Sequence, residues 1–244
     1  MFQKKTKTAV ILAGGLGTRL RPYTVSLPKP LMPVGNYPIL EIVVLQLKAA
    51  GISRIIIAVG YLAPLIRAYF GDGSKYGLTI LYSSEEEPLG TAGPLALLKD
   101  KIDETFIFMN GDVFTDLNFT KMINYHYENG GLATLGLSPR EVDIDFGVID
   151  FDKNGKFKAW KEKPKIHYNV SMGVYILEPE ILDELPIGFS NIPDIILKLH
   201  ENKQQLNCYN HTGYWLDIGR PEDYETACRD FEEKGIEFWV NLKE

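Results

Sequence analysis

The sequence predicts an α/β protein: a three-layer sandwich with helices on both faces of a mixed, mainly parallel central sheet. Two observations lead there. In the first half, short β-rich apolar runs alternate with helical patterns, which is the mark of parallel strands joined by crossover helices. The second half turns strand-rich, with a hairpin turn at Asp152-Lys153-Asn154-Gly155, so part of the sheet is antiparallel.

Taken in order, residues 8–12 read as a buried strand followed by a glycine turn. Residues 38–50 read as a helix, with Pro38 suited to its first turn and Gly51 to its end. Arg54–Val59 is a second buried strand, and 64–70 a helix closed by Gly71. Strands at 78–82 and 106–109 follow, with a helix between them over 92–99. Further strands are expected at 133–137, 147–151, 157–162 and 170–177, and helices at 191–200 and 222–233. No linker, low-complexity segment or internal repeat interrupts residues 1–244, so a single domain is expected.

Composition narrows the function. A formal net charge of −6 argues against a nucleic-acid binder, which normally carries a basic surplus. Two cysteines are too few for a disulfide scaffold, and four scattered histidines supply no zinc cluster. No apolar run approaches the roughly 20 residues that cross a bilayer, and the N-terminus leads into a strand without a signal-peptide core. These features lead to the expectation of a cytoplasmic protein with neither nucleic acid nor membrane as partner.

The most informative stretch is Gly14-Gly15-Leu16-Gly17-Thr18-Arg19 directly after the first strand. Three glycines let backbone N–H groups approach a polyphosphate closely, and an arginine adds a bidentate charge-assisted contact. A dinucleotide fingerprint would need a third glycine where Leu20 stands, and a P-loop would need Gly-Lys-Ser/Thr, which is absent. Downstream, Pro28-Lys29-Pro30 fixes a lysine between two prolines, so holding its ammonium in place costs little further entropy. Taken alone, that segment reads better as a rigid turn with a solvated lysine.

Together with Asn110-Gly111-Asp112, Glu162-Lys163-Pro164, Gly173-Val174-Tyr175 and Trp215-Leu216-Asp217-Ile218-Gly219 in that order, these motifs resemble the sugar-1-phosphate nucleotidyltransferase family. The resemblance implies a Rossmann-like fold of the nucleotide-diphospho-sugar transferase type, with a nucleotide-binding half over about 1–115, a sugar-phosphate half over about 116–225 and a C-terminal helical segment over about 221–244. It implies that Leu12, Ala13, Gly14, Gly15, Gly17, Thr18, Arg19 and Lys29 hold a nucleoside triphosphate, with Glu85, Gly90 and Thr91 around its base. Gly111, Gly147, Glu162, Lys163 and Ser171 are implied for the sugar phosphate, and Asp112 and Asp217 for Mg²⁺. Arg19, Lys29, Asp112 and Lys163 are the implied catalytic groups.

The string Glu85-Glu86-Glu87-Pro88-Leu89-Gly90-Thr91-Ala92-Gly93-Pro94-Leu95 is similar to that of mannose-1-phosphate guanylyltransferases. A carboxylate at Glu85 accepts both N1–H and N2–H of guanine, whereas uracil offers one N–H and otherwise acceptors, so GTP is favoured. Many such guanylyltransferases continue into a C-terminal β-helix, and no such repeat occurs here. The acceptor therefore stays open between mannose, heptose, glucose and amino-sugar 1-phosphates, as do a non-sugar phosphate and a homo-oligomeric state.

Two rival readings fit the residues less well. Asp143-Ile144-Asp145 has the Asp-x-Asp form that GT-A glycosyltransferases use for metal, but Ser138-Pro139-Arg140-Glu141 before it is no apolar strand, so the triplet reads as a solvated loop. A non-catalytic regulatory subunit would typically have lost phosphate or metal residues, and Arg19, Lys29, Asp112, Lys163 and Asp217 are all present.

Overall fold

The computed structural model describes residues 6–85 and 87–240. The first half comprises β1 (Thr8–Ala13), β2 (Pro33–Val34), β3 (Tyr37–Pro38), α1 (Ile39–Ala49), β4 (Arg54–Val59), α2 (Ala63–Phe70), β5 (Thr79–Ser84), α3 (Gly93–Ala96), β6 (Phe106–Asn110) and β7 (Val113–Thr115). The second half adds α4 (Phe119–Asn129), β8 (Ala133–Asp143), β9 (Val148–Phe151), β10 (Phe157–Lys161), β11 (Lys165–Leu177), α5 (Ile192–Glu201), β12 (Leu206–Asn210), β13 (Trp215–Asp217) and α6 (Pro221–Val240).

Seven strands form the central sheet in the order β12-β8-β11-β6-β1-β4-β5. All neighbouring pairs are parallel except those of β11, which runs antiparallel to both β6 and β8. The fold is thus the mixed, mainly parallel three-layer sandwich expected from the alternation of runs.

The strand period of two sorts the core into layers. Ala9, Ile11, Ile55, Ile57, Ile107 and Met109 face the layer of α1, α2 and α4, where Val43, Leu47, Phe70 and Met122 pack on them. Val10, Ile56, Phe106 and Phe108 face the other way, under Leu95 of α3 and Ile195 and Leu199 of α5. A third cluster joins α1 to the C-terminal helix: Ile39 and Ile42 meet Phe114, Ile218, Phe231 and Trp239. Trp239 is fully buried, its ring centroid 4.0 Å from that of Phe114 on β7. Replacing it by Ala should cost about 3–5 kcal/mol of stability, read as a lowered urea midpoint; a midpoint unchanged from wild type would mean that α6 docks without it.

Several boundaries differ from expectation for physical reasons. Pro38 ends β3 and precedes the first turn of α1 instead of lying in it. The helix expected over 92–99 is a single α-turn: Ser190 O caps it by accepting from Ala92 N–H and Gly93 N–H, and the turns that follow close over three residues. Ser138–Glu141, where no apolar strand is expected, is strand: β11 supplies pairing partners as far as Lys165 opposite Asp143, so of the Asp143-Ile144-Asp145 triplet only the last two residues are loop. Helix α4 escaped prediction, since its apolar content is low; Asn118, whose side chain accepts from Lys121 N–H, is the N-cap that marks it.

Candidate functional site

The chain leaves β1 toward β4 and β5 on one side, then returns to β6 on the other. The carboxyl end of β1 is therefore the switch point of the sheet, where open α/β folds form a crevice. The glycine loop emerges there. Gly17 takes φ 61°, which glycine adopts freely, and its carbonyl accepts from Thr24 Oγ1 at 2.8 Å. A Cβ at Gly60 would sit 2.8 Å from the Gly14 carbonyl oxygen, so the loops after β1 and β4 touch backbone to backbone.

The same crevice receives the acidic residues. Gly111 N–H donates to Leu12 O at 2.8 Å, which draws the end of β6 against the end of β1 and presents Asp112. Strand β7 pairs antiparallel with β13, Asp217 standing opposite Val113, and Ile218 N–H donates to Asp112 O at 3.2 Å. This short ladder places two carboxylates from distant segments side by side. Lys29 is almost wholly buried, and its Nζ forms an ion pair with Asp112 Oδ2. The guanidinium of Arg19 lies against Gly219, where a Cβ would come within 3.2 Å of both terminal nitrogens.

Charge at this point is unbalanced. Partial burial raises the pKa of Asp217, and the neighbouring Asp112 raises it further, while Lys29 and Arg19 pull it back. Asp112 Oδ1 is buried and has no hydrogen-bond partner. An orphaned carboxylate oxygen beside a second, charge-stressed carboxylate fits a hard divalent cation, which takes one or two carboxylates and completes its shell with water and substrate phosphates. Among the described residues no cluster of three or more His, Cys, Asp or Glu could hold a metal, so substrate oxygens would have to supply the remaining ligands.

Two adjoining cavities open from this floor. One of about 440 Å³ is lined by Leu12, Ala13, Gly14, Gly15, Gly17, Thr18, Arg19, Lys29, Gly111 and Asp112. The other, of about 460 Å³, is lined by Glu85, Gly90 and Thr91 together with Gly60, Asn110 and Asp112. The first collects the residues expected around phosphates, the second those expected around a base. Glu85 Oε2 accepts from Leu89 N–H at 2.8 Å, and Oε1 faces Gly14. The loop that carries Gly90 and Thr91 is pinned from outside: Ser190 N–H donates to Leu89 O, and Ile192 N–H to Thr91 Oγ1 at 3.0 Å. Glu86 lies outside the described residues.

Gly147, Glu162, Lys163, Ser171 and Asp217 line neither cavity. The first three sit at the open end of the β9–β10 hairpin. Lys163 is exposed and holds φ 42° in front of Pro164, a left-handed conformation costly for a residue with a Cβ. Ser171 Oγ is 2.9 Å from the Tyr175 hydroxyl across a bulge in β11. Sequence reasoning missed Gly60, Asn110 and the Ser190-Asn191 anchor. Asn110 and Gly60 could have been found from their places at the ends of apolar strands; the Ser190-Asn191 anchor comes from a segment with no such signal.

Comparison with known proteins places this geometry. The sequence matches the nucleotidyl transferase family over residues 8–234, and the chain belongs to that family. Relatives include the mannose-1-phosphate guanylyltransferase catalytic subunit beta of Drosophila melanogaster, 37% identical over 225 residues that cover 90% of this chain and 61% of the relative. Mannose-1-phosphate guanyltransferase beta-B of Xenopus laevis is 36% identical over 226 residues, covering 90% of this chain and 63% of its own. The chain thus spans less than two thirds of the length of these relatives. HddC from Yersinia pseudotuberculosis, also solved complexed with GMP-PN, superposes with a TM-score of 0.72 at 28% identity over 93% of this chain and 100% of that one. UDP-glucose pyrophosphorylase complexed with UDP-glucose shares the fold, with a TM-score of 0.72 at 20% identity over 95% of this chain and 100% of its own. No helix among the described residues is long and apolar enough to cross a membrane.

Proposed function

We propose that this protein joins a nucleoside triphosphate to a sugar 1-phosphate, forming a nucleotide sugar and releasing pyrophosphate. The observation that carries the reading is that Asp112, ion-paired to Lys29 and tied by the β7–β13 ladder to the segment of Asp217, lines both the glycine-loop cavity and the Glu85 cavity. The attacking group is a phosphate oxygen, dianionic near neutral pH since its second pKa is about 6. It needs no general base, so the task is to bring two polyanions together and neutralise them. Arg19, Lys29 and the loop amides bind the triphosphate and orient its α-phosphorus. Lys163 binds the attacking phosphate, and Glu162, Gly147 and Ser171 hold the sugar. Asp112 and Asp217 would hold Mg²⁺, which supplies charge neutralisation at the α-phosphate. The bond from the acceptor oxygen to the α-phosphorus forms as the bond to the β-phosphate oxygen breaks.

GTP with mannose 1-phosphate, or a related heptose 1-phosphate, is the favoured pair. The two relatives described above are named as mannose-1-phosphate guanylyltransferases, and the structural neighbour at 28% identity is solved with a guanine nucleotide. Glu85 supports the choice: Leu89 N–H anchors one carboxylate oxygen, and the other, which faces Gly14 on the wall of the same cavity, would accept from guanine N–H groups. Both cysteines are free, which suits the cytoplasmic setting proposed here. A matrix of nucleoside triphosphates against sugar 1-phosphates, followed by pyrophosphate release, tests the assignment. Highest kcat/KM for GTP with mannose 1-phosphate supports it, and a preference for UTP or dTTP with glucose 1-phosphate overturns the substrate choice.

Glu85→Gln gives a sharper test of the base reading. Glutamine keeps a carbonyl oxygen for Leu89 N–H and turns an NH₂ donor toward the base, where it opposes the donors of guanine. The KM for GTP should rise by about tenfold or more, the effect expected when a charged hydrogen-bond acceptor is lost. An unchanged KM for GTP would remove Glu85 from base recognition.

A further inference from the structure

The strand pairing puts Trp160 where it can control the acceptor. Trp160 lies on β10 and Glu162 one residue beyond its end, at the bend that leaves the hairpin. Lys161 stands opposite Val148, which brings Gly147, one residue earlier, alongside Glu162 and diagonal to Trp160. The contact is close: a Cβ at Gly147 would fall within 3.0 Å of three atoms of the indole, so only a glycine admits the ring there. The indole Nε1–H donates to Glu162 Oε2 at 2.8 Å. Even so, Trp160 remains 58% exposed, with one side of the ring engaged by the Gly147 backbone and the rest free. A large flat apolar surface with one fixed donor is the usual equipment for a ligand that has an apolar face and a polar rim.

Resting on the reading that the acceptor is a sugar phosphate, we propose that Trp160 is a specificity-determining residue for that acceptor. Its ring forms a wall against the apolar face of the pyranose. Its N–H orients Glu162, leaving Oε1 for the sugar hydroxyls. The ring is thus a direct contact and, through Glu162, a positioning group. Packing of an apolar hairpin with Ile149, its cross-strand partner, is the purely structural alternative.

Two variants separate the roles. Trp160→Phe keeps a ring and removes the donor; Trp160→Ala removes both. Because the side chain is exposed, both should melt near wild type. The KM for mannose 1-phosphate should rise about fivefold in the first and tenfold or more in the second. The KM for GTP should stay within twofold and kcat within about threefold. Tryptophan emission gives a readout that structure alone would not move. The chain has three tryptophans; Trp239 is buried, and Trp215 Nε1 donates to Met172 O. Titrating mannose 1-phosphate into wild type with Mg²⁺ and a non-reactive GTP analogue should change the emission, and Trp160→Phe should abolish that change. An acceptor KM unaltered in Trp160→Ala, or an emission change that persists in Trp160→Phe, overturns the proposal alone. If wild type releases pyrophosphate with no sugar 1-phosphate, the proposed function falls and this inference with it.

Discussion

Asp112→Asn is expected to lower kcat for pyrophosphate release by about 10³-fold or more, since several kcal/mol of charge stabilisation would be removed at the reacting phosphate. The fold should survive. Lys29 is buried and ion-paired to Asp112, and asparagine keeps an oxygen to accept from its ammonium. Alanine would leave that ammonium unpaired in a desolvated place, which is strongly destabilising, so asparagine is the cleaner variant. Thermal melting close to wild type together with activity lost at all Mg²⁺ concentrations is the predicted outcome. Activity within tenfold of wild type would show that Asp112 is a structural partner of Lys29 and nothing more. The orphaned Asp112 Oδ1 argues against that simpler role, because a purely structural carboxylate has no reason to bury an unbonded oxygen.

Lys163→Gly should separate stability from activity. The residue sits at φ 42° in front of a proline, a conformation that costs a side-chain-bearing residue about 1–2 kcal/mol. Glycine relieves that strain but adds backbone freedom to the unfolded chain, about 0.5–1 kcal/mol in the other direction. The variant should therefore melt at or slightly above wild type. Its kcat/KM for the sugar phosphate should fall about 10²-fold or more, as the group meeting the attacking dianion is gone. Strained backbone held at an exposed lysine is the observation behind this expectation. A variant that is both less stable and fully active would contradict it.

Much of this architecture was legible because the local signals and the tertiary structure agree. The runs that became β1, β4 and β6 are apolar, and their flanking glycines mark where the chain turns. The glycine loop could be read from spacing alone as an anion cradle that fits neither the dinucleotide fingerprint nor a P-loop. Less was legible where tertiary partners decide. The outer half of β8 carries Pro139, Arg140 and Glu141 and is strand only because β11 runs beside it. The expected helix after Thr91 is one turn followed by turns that close over three residues, and its start is fixed by Ser190, about a hundred residues onward, which accepts from its first amides. Within the site, the Asp112–Asp217 pairing followed from motif order, but the β7–β13 ladder that enforces it involves strands of only three residues. Gly60 and Trp160 carried no chemical motif, and only the backbone approach to Gly14 and the ring contact with Gly147 single them out.

The central claim is that two phosphates are joined at the α-phosphorus of a nucleoside triphosphate. Isotopic labelling tests it directly: GTP labelled at the α-phosphate, or separately at the γ-phosphate, is incubated with mannose 1-phosphate and Mg²⁺. The account predicts that the α-label appears in a nucleotide sugar and the γ-label in pyrophosphate, in equal amounts. Release of the γ-label as orthophosphate, or its transfer to the sugar, would contradict it.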